Sequence, residues 1–346
     1  MATWPDILMR LSFDEDLAAS DTAWMLNEVF EGRATDAQLG AFLMGMQTKG
    51  ATAPEVAGMV ETMLEHAARI EIPGRTVDIV GTGGDKANTV NISTMASLVI
   101  AGTGLRVVKH GSRASTSTTG SSDVLAALGI NLDLGPQRVA EILDEVGITF
   151  CFAPTFHPAM RFAGPVRKEL GIPTIFNVLG PLTNPAQPAV SAIGASSAEL
   201  APVMAEVLAM RGRDAIVFRN DDGLDELAAT STTTVWEVRG GVVERSTIDA
   251  VADLGLRPIP VSALTGGESD ENAAVARSVL AGDSGPVRET VIANAAIALA
   301  ADGTLPGTSE GTLVDRLRSG MRAAAHAIDS GAADATLQRW AKATQS

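Results

Sequence analysis

From Thr76 onward the chain alternates short apolar runs with longer helical stretches, and few folds accept that order. Residues 76–80, 106–108, 148–152, 189–193, 215–218 and 232–238 read as strands. Residues 93–101, 139–146, 198–210, 289–301 and 313–328 read as helices. Strands separated by helices imply an α/β fold, with a mainly parallel sheet flanked by helices. Before Pro73-Gly74 the pattern differs, with no β-rich run and several short helices. Ser20 and Asp21 begin one, Thr35 caps a second, and Thr52 with Glu55 forms a capping box for a third. A small all-helical N-terminal domain followed by a larger α/β domain is therefore expected. Short helices alone enclose a thin core, so the N-terminal segment is expected to pack on the rest of the chain or on a second copy.

Four segments carry chemistry. In the first, Asp78-Ile79-Val80-Gly81-Thr82-Gly83-Gly84-Asp85, a strand enters a glycine loop, and Asn91-Ile92-Ser93-Thr94 begins the next helix. Glycines let backbone N–H groups converge on one point. A helix N-terminus adds free donors and the positive end of its dipole. A glycine loop alone is usually a plain tight turn. Loop, hydroxyls and helix start together point to an anion site, though not to a Walker A or dinucleotide fingerprint.

The second segment runs from Lys109-His110-Gly111-Ser112-Arg113 into a Ser/Thr-rich stretch ending near Ser121-Ser122. It directly follows a strand, where open α/β sheets bind ligands. Lys109 suits a phosphate as a point charge, and Arg113 offers a fork. A flexible linker is the plainer alternative, but linkers seldom begin with Lys-His-Gly after a buried strand.

The third segment, 153–185, holds Pro154, His157, Met160 and Arg167 among repeated Gly and Pro, an irregular backbone of the kind that lines pockets. Arg167 is a candidate carboxylate clamp, with a surface ion pair to Glu169 as the alternative. The fourth is Asp221-Asp222-Gly223-Leu224-Asp225-Glu226 after a strand. Adjacent carboxylates there suit Mg²⁺, although in isolation a solvated acidic turn is commoner.

With 41 Asp plus Glu against 26 Lys plus Arg, the 346-residue chain carries a net charge of −15. That balance opposes a general nucleic-acid binder, which needs a basic face, and an anionic membrane surface as partner. Cys151 is the single cysteine, so no internal disulfide or Cys-based zinc site is expected. The acidic start of the chain is unlike a secretory or transit peptide, and a cytoplasmic location is expected.

Taken in order, Gly-Thr-Gly-Gly-Asp at 81–85, Asn-Ile-Ser-Thr at 91–94, Lys-His-Gly at 109–111, Pro-Val-Arg at 165–167, Leu-Gly-Pro-Leu-Thr-Asn-Pro at 179–185 and Asp-Glu at 225–226 resemble the anthranilate phosphoribosyltransferase family. The resemblance covers nearly the whole chain. It implies a helical domain of residues 1–73, joined by part of 165–188, and an α/β phosphoribosyl-binding domain of 74–164 and 189–346. It implies transfer of phosphoribose from 5-phosphoribosyl diphosphate (PRPP) to the amine of anthranilate, releasing diphosphate, in tryptophan biosynthesis.

By the same resemblance, Gly81, Gly84, Asp85, Thr89, Asn91, Ile92, Ser93 and Thr94 would bind PRPP. So would Lys109, His110, Gly111, Ser112, Arg113, Ala114, Ser115, Thr116, Ser117 and Ser121. Gly81, His110, Ser112, Pro154, His157, Met160 and Arg167 would line the place of anthranilate, with Arg167 on its carboxylate. Ser93, Asp225 and Glu226 would hold Mg²⁺. No acid or base is implied, because an aromatic amine is already unprotonated at neutral pH. A homodimer through the helical domain is the family's usual assembly.

The resemblance departs at Ser112, where the family usually has Asn. Serine is shorter and lacks the amide's paired donor and acceptor, so a weaker hold on anthranilate is expected. A pyrimidine nucleoside phosphorylase-like enzyme and a non-catalytic nucleic-acid-binding relative are the alternatives. Asp225, Glu226 and Arg167 speak against the first, and the acidic balance against the second.

Overall fold

The computed structural model describes residues 2–113 and 118–345. Seven strands form one sheet: β1 (Val77–Gly81), β2 (Val107–Gly111), β3 (Ile148–Phe152), β4 (Val190–Gly194), β5 (Asp214–Asn220), β6 (Thr232–Arg239) and β7 (Val242–Asp249). Their spatial order is β3-β2-β1-β4-β5-β6-β7. β1 to β5 run parallel, while β6 and β7 are antiparallel additions at one edge. The order reverses around β1, which has β2 on one side and β4 on the other. At such a switch point the connections leave toward opposite faces, and a crevice opens beyond the strand ends. Gly81 and Gly194 are register partners at that point.

The helical segment comprises α1 (Trp4–Ser12), α2 (Ala19–Phe30), α3 (Asp36–Lys49) and α4 (Ala53–Glu65). Thr35 accepts the Gln38 N–H at 3.2 Å, and Glu55 reaches back to the Thr52 N–H at 2.7 Å, as the capping patterns imply. The inner faces of these helices, with Ile7, Leu26, Phe42 and Met59, merge with Val166, Phe176, Leu179 and Leu182. That core continues to Met204, Leu208, Trp236 and Val238 beside the sheet. The thin helical core is thus completed by the chain's own later residues.

The opposite face of the sheet has a second core. There Leu98, Val99 and Ile100 of α5 (Ile92–Gly102) meet Ile79, Val107, Val190, Ile216 and the buried helix Pro286–Asp302. Residues one apart on β5, Ile216 and Val217, belong to different cores, as the period-2 alternation of a strand requires.

Three features differ from the sequence reading. β2 runs through Lys109-His110-Gly111, so these residues belong to the strand rather than to a loop after it. Lys109 and His110 consequently point to opposite faces. Residues 153–182 are a series of short helical pieces, Ala153–Phe156, Pro158–Phe162, Gly164–Leu170 and Phe176–Leu182, rather than irregular backbone. Pro154, Pro158 and Pro165 each sit in a first turn, where a missing N–H costs nothing. β7 has no strand signal because its residues are mostly exposed and lack apolar alternation. Only the Gly240-Gly241 pair before it marks a two-residue hairpin.

Candidate active site

A cleft of about 580 Å³ opens where β1, β2 and β5 end. Every residue that the resemblance assigns to the site, among the described residues, lines it: Gly81, Gly84, Asp85, Thr89, Asn91, Ile92, Ser93, Thr94, Lys109, His110, Gly111, Ser112, Arg113, Ser121, Pro154, His157, Met160, Arg167, Asp225 and Glu226. Ala114, Ser115, Thr116 and Ser117 lie outside the described residues. The cleft also takes in Thr119 of the second segment and Phe176 and Asn177 of the third, together with Met63 of α4, Lys86 and Asn88, which no motif pointed to.

The glycine loop is required sterically. A Cβ on Gly81 would run into the Asp225 carboxylate, and Gly84 has φ +84°, a left-handed conformation suited to glycine. The Gly83 N–H donates to Asp225 Oδ2 at 2.7 Å, which ties this loop to the one after β5. Lys109 is only 1% exposed. Its ammonium donates to Ile79 O at 2.5 Å and Ser93 Oγ at 3.3 Å. With two of three N–H groups committed, one remains for a ligand. Burial lowers the Lys109 pKa to about 8, while the nearby Asp78 and Asp225 charges oppose the shift. Lys109 therefore stays an ammonium at neutral pH.

Asp78, an ordinary strand residue by its sequence context, is fully buried, and loss of water raises its pKa to about 6. Its carboxylate accepts the His110 N–H at 3.3 Å and Asn184 Nδ2 at 2.9 Å. Asn184 Nδ2 also donates to Val108 O at 2.8 Å. The 180–185 segment is thus fastened to β1 and β2.

Asp85, Asp225 and Glu226 bring one carboxylate oxygen each within 4.8 Å of one another. Thr89 Oγ1 donates to Glu226 Oε1 at 3.0 Å. Asp85 Oδ2 and Glu226 Oε2 are buried without a hydrogen-bond partner. Burial first, then mutual repulsion, raises the Asp225 pKa to about 6 and that of Glu226 well above the usual carboxylate value; burial also raises that of Asp85. An oxygen-only cluster with unpartnered atoms and unfavourable crowding of negative charge fits a hard divalent cation. Asp85, expected on PRPP, thus stands with the two acids of the fourth segment. Asp221 and Asp222 are exposed and lie outside the cleft.

The wall formed by 153–182 is of another kind. Arg167 stacks its guanidinium 5.2 Å from the centre of the Phe176 ring. Among the described residues no carboxylate pairs with it, Glu169 included, and loss of water lowers its pKa. His110 and His157 lie with ring centroids 5.1 Å apart. His110 Nδ1 donates to Gly180 O and His157 Nε2 to Thr183 O, each at 3.0 Å. Carbonyls only accept, so these nitrogens carry the ring protons. Burial lowers the His110 pKa to about 3 and the His157 pKa to about 4. Both rings are neutral at pH 7.

A depressed histidine pKa stabilises the fold above the unfolded value of 6.5, and that stability is lost as pH falls toward 4. Wild type is therefore expected to lose its stability advantage over His157→Asn on acidification. Chemical denaturation of both proteins should show the gap shrinking by roughly 1 kcal/mol per pH unit between pH 6.5 and 5. A gap that does not change with pH contradicts a buried neutral His157.

The glycosyl transferase family's a/b domain matches residues 73–334, and its helical bundle domain matches residues 5–67. A relative from Streptomyces griseus, named anthranilate phosphoribosyltransferase, is 55% identical over 342 residues, covering 99% of this chain and 95% of its own. One of the same name from Salinispora arenicola is 52% identical, covering 98% and 96%. The crystal structure of anthranilate phosphoribosyltransferase from Thermus thermophilus matches with TM-score 0.90 and 36% identity, covering 99% of this chain and all of that one (100%). The enzyme from Saccharomyces cerevisiae in complex with PRPP and Mg matches with TM-score 0.88 and 27% identity, covering 99% and 98%. Fold, cleft and end-to-end likeness agree, and this chain belongs to the glycosyl transferase family, in its anthranilate phosphoribosyltransferase branch.

Proposed function

We propose that this cleft moves phosphoribose from PRPP to the amine of anthranilate, releasing diphosphate, as a step in tryptophan biosynthesis. The observation that carries the reading is the joining of two unlike walls in one cleft. A glycine loop with three crowded carboxylates faces a ring-lined wall with one carboxylate-free guanidinium.

The Gly84 N–H and the start of α5 would receive the diphosphate, as loop and helix termini receive anions, because the Thr82 and Gly83 N–H groups are already given to Gly194 O and Asp225. Lys109 would add its remaining N–H to a phosphate oxygen. Asp85, Asp225 and Glu226 would hold Mg²⁺, with Ser93 nearby in the expected set. Bound there, Mg²⁺ supplies charge neutralisation for the departing diphosphate. Arg167 would fork onto the anthranilate carboxylate, with Met160, Pro154 and Phe176 around the ring. His110 Nε2, buried and unpartnered, offers a lone pair to the substrate amine. No strong base is needed for an amine that is already free, so positioning and electrostatics carry the rate. Ser112, exposed at the rim, gives a shorter reach toward the acceptor than asparagine would.

A homodimer through the helical segment is part of the reading. Met9 and Phe13, on and just after α1, and Met44 on α3 stand exposed, an apolar surface suited to a second copy. Among the described residues no helix is long and apolar enough to cross a membrane, which accords with a cytoplasmic biosynthetic role. Turnover of anthranilate with PRPP, and none of a pyrimidine nucleoside with phosphate, separates this reading from a phosphorylase.

A further inference from the structure

We infer that Asn272, on a helix outside every recognised motif, is a positioning residue for the phosphoribosyl part of the cleft, acting through Asn91 and Thr119. The inference rests on the PRPP reading above. Asn272 lies in the first turn of the helix Ser269–Leu280 and is 3% exposed. Its Oδ1 accepts the Gly267 N–H at 2.8 Å, and its Nδ2 donates to Asn91 Oδ1 at 3.0 Å. Asn91 Nδ2 donates in turn to Thr119 O at 3.2 Å. Thr119 Oγ1 donates to Gly267 O at 2.8 Å. These bonds close a ring through Asn272, Asn91, Thr119 and Gly267. Asn91 and Thr119 line the cleft, and Asn272 and Gly267 do not.

The backbone fixes the sense of the ring. The Gly267 N–H only donates, so the Asn272 oxygen faces it and the Asn272 NH₂ faces Asn91. The Thr119 carbonyl only accepts, so the Asn91 NH₂ faces it and the Asn91 oxygen faces Asn272. Both amides are locked in one orientation. Asn91 then presents one Nδ2 hydrogen and one Oδ1 lone pair in a set direction at the start of α5. The neighbouring strip is tied the same way, by Gly266 N–H to Asn88 O and Val90 N–H to Leu264 O, each 2.8 Å. A Cβ on Gly266 would press on the Asn272 amide and the Val90 nitrogen. The ring thereby joins the glycine-loop side of the cleft to the segment that follows β2, two walls far apart in sequence.

Removing Asn272 frees the Asn91 amide to turn and unties Thr119 from its neighbour, while the 153–182 wall is untouched. The effect should therefore fall on PRPP and spare anthranilate. The test is steady-state kinetics with Mg²⁺ on wild type, Asn272→Ala, Asn272→Asp, Asn91→Ala and the double variant. Asn272→Ala is expected to raise the KM for PRPP roughly three- to tenfold, the weight of one or two hydrogen bonds. The KM for anthranilate should stay within about twofold. Asn272→Asp keeps the shape and the acceptor for Gly267 but offers Asn91 no donor, and should behave alike. In the Asn91→Ala background, Asn272→Ala should add less than about twofold, because the two act as one unit. With an active wild type, the inference is overturned by an unchanged PRPP KM, by equal shifts in both KM values, by a wild-type-like Asn272→Asp, or by effects that multiply in the double variant. An inactive wild type overturns the PRPP reading instead.

Discussion

Glu226→Gln is expected to lower kcat/KM for PRPP by roughly 10²- to 10³-fold, the usual cost of losing one preorganised electrostatic contributor. Glutamine keeps the volume and the oxygen that accepts from Thr89 Oγ1. It cannot supply the negative charge that Asp85, Asp225 and Glu226 together offer a divalent cation. Without added Mg²⁺ the same substitution should leave the melting temperature unchanged or raise it. Burial and two neighbouring carboxylates already disfavour the Glu226 charge, so removing it relieves repulsion. Activity and stability should thus move in different directions. Steady-state rates at saturating Mg²⁺ and thermal melts check this. A loss below tenfold, or a marked fall in melting temperature, would assign Glu226 a structural role.

Arg167→Leu is expected to raise the KM for anthranilate by roughly 10- to 150-fold, corresponding to about 1.5–3 kcal/mol for hydrogen bonds to a charged group. The KM for PRPP should change little. Arg167 sits over Phe176 with no carboxylate of its own, so its charge is held for a partner the chain does not provide. Arg167→Lys should recover only a small part, because a point charge lacks the planar fork that matches a carboxylate. Aniline offers a second check. It carries the amine without the carboxylate, so its use by the wild type and by Arg167→Leu should be similarly poor. Equal losses for anthranilate and aniline would show that Arg167 serves packing alone.

Strand positions were legible because buried parallel strands are short apolar runs, and the runs at 148–152 and 189–193 fall on β3 and within one residue of β4. β7 was not, since an exposed edge strand such as Val242–Asp249 has no apolar face to announce it. Nor were the helical pieces of 153–182, whose Gly and Pro speak equally for loops and for first turns. The glycine loop after β1, the Lys-His-Gly end of β2 and the paired acids after β5 stood out because their residue types are uncommon at strand ends. Residues that act through burial and geometry did not. Asp78 reads as an ordinary strand position until Asn184 and the His110 N–H are seen around it. Asn272 lies far along the chain from Asn91, and only the folded strip 264–267 brings them together.

The most direct test of phosphoribosyl transfer in this cleft follows anthranilate fluorescence with purified protein, PRPP and Mg²⁺. Fluorescence should fall as anthranilate is consumed, only when PRPP and Mg²⁺ are both present, and chelation of the metal should stop it. Folded protein that leaves anthranilate unconsumed under these conditions would contradict the assignment.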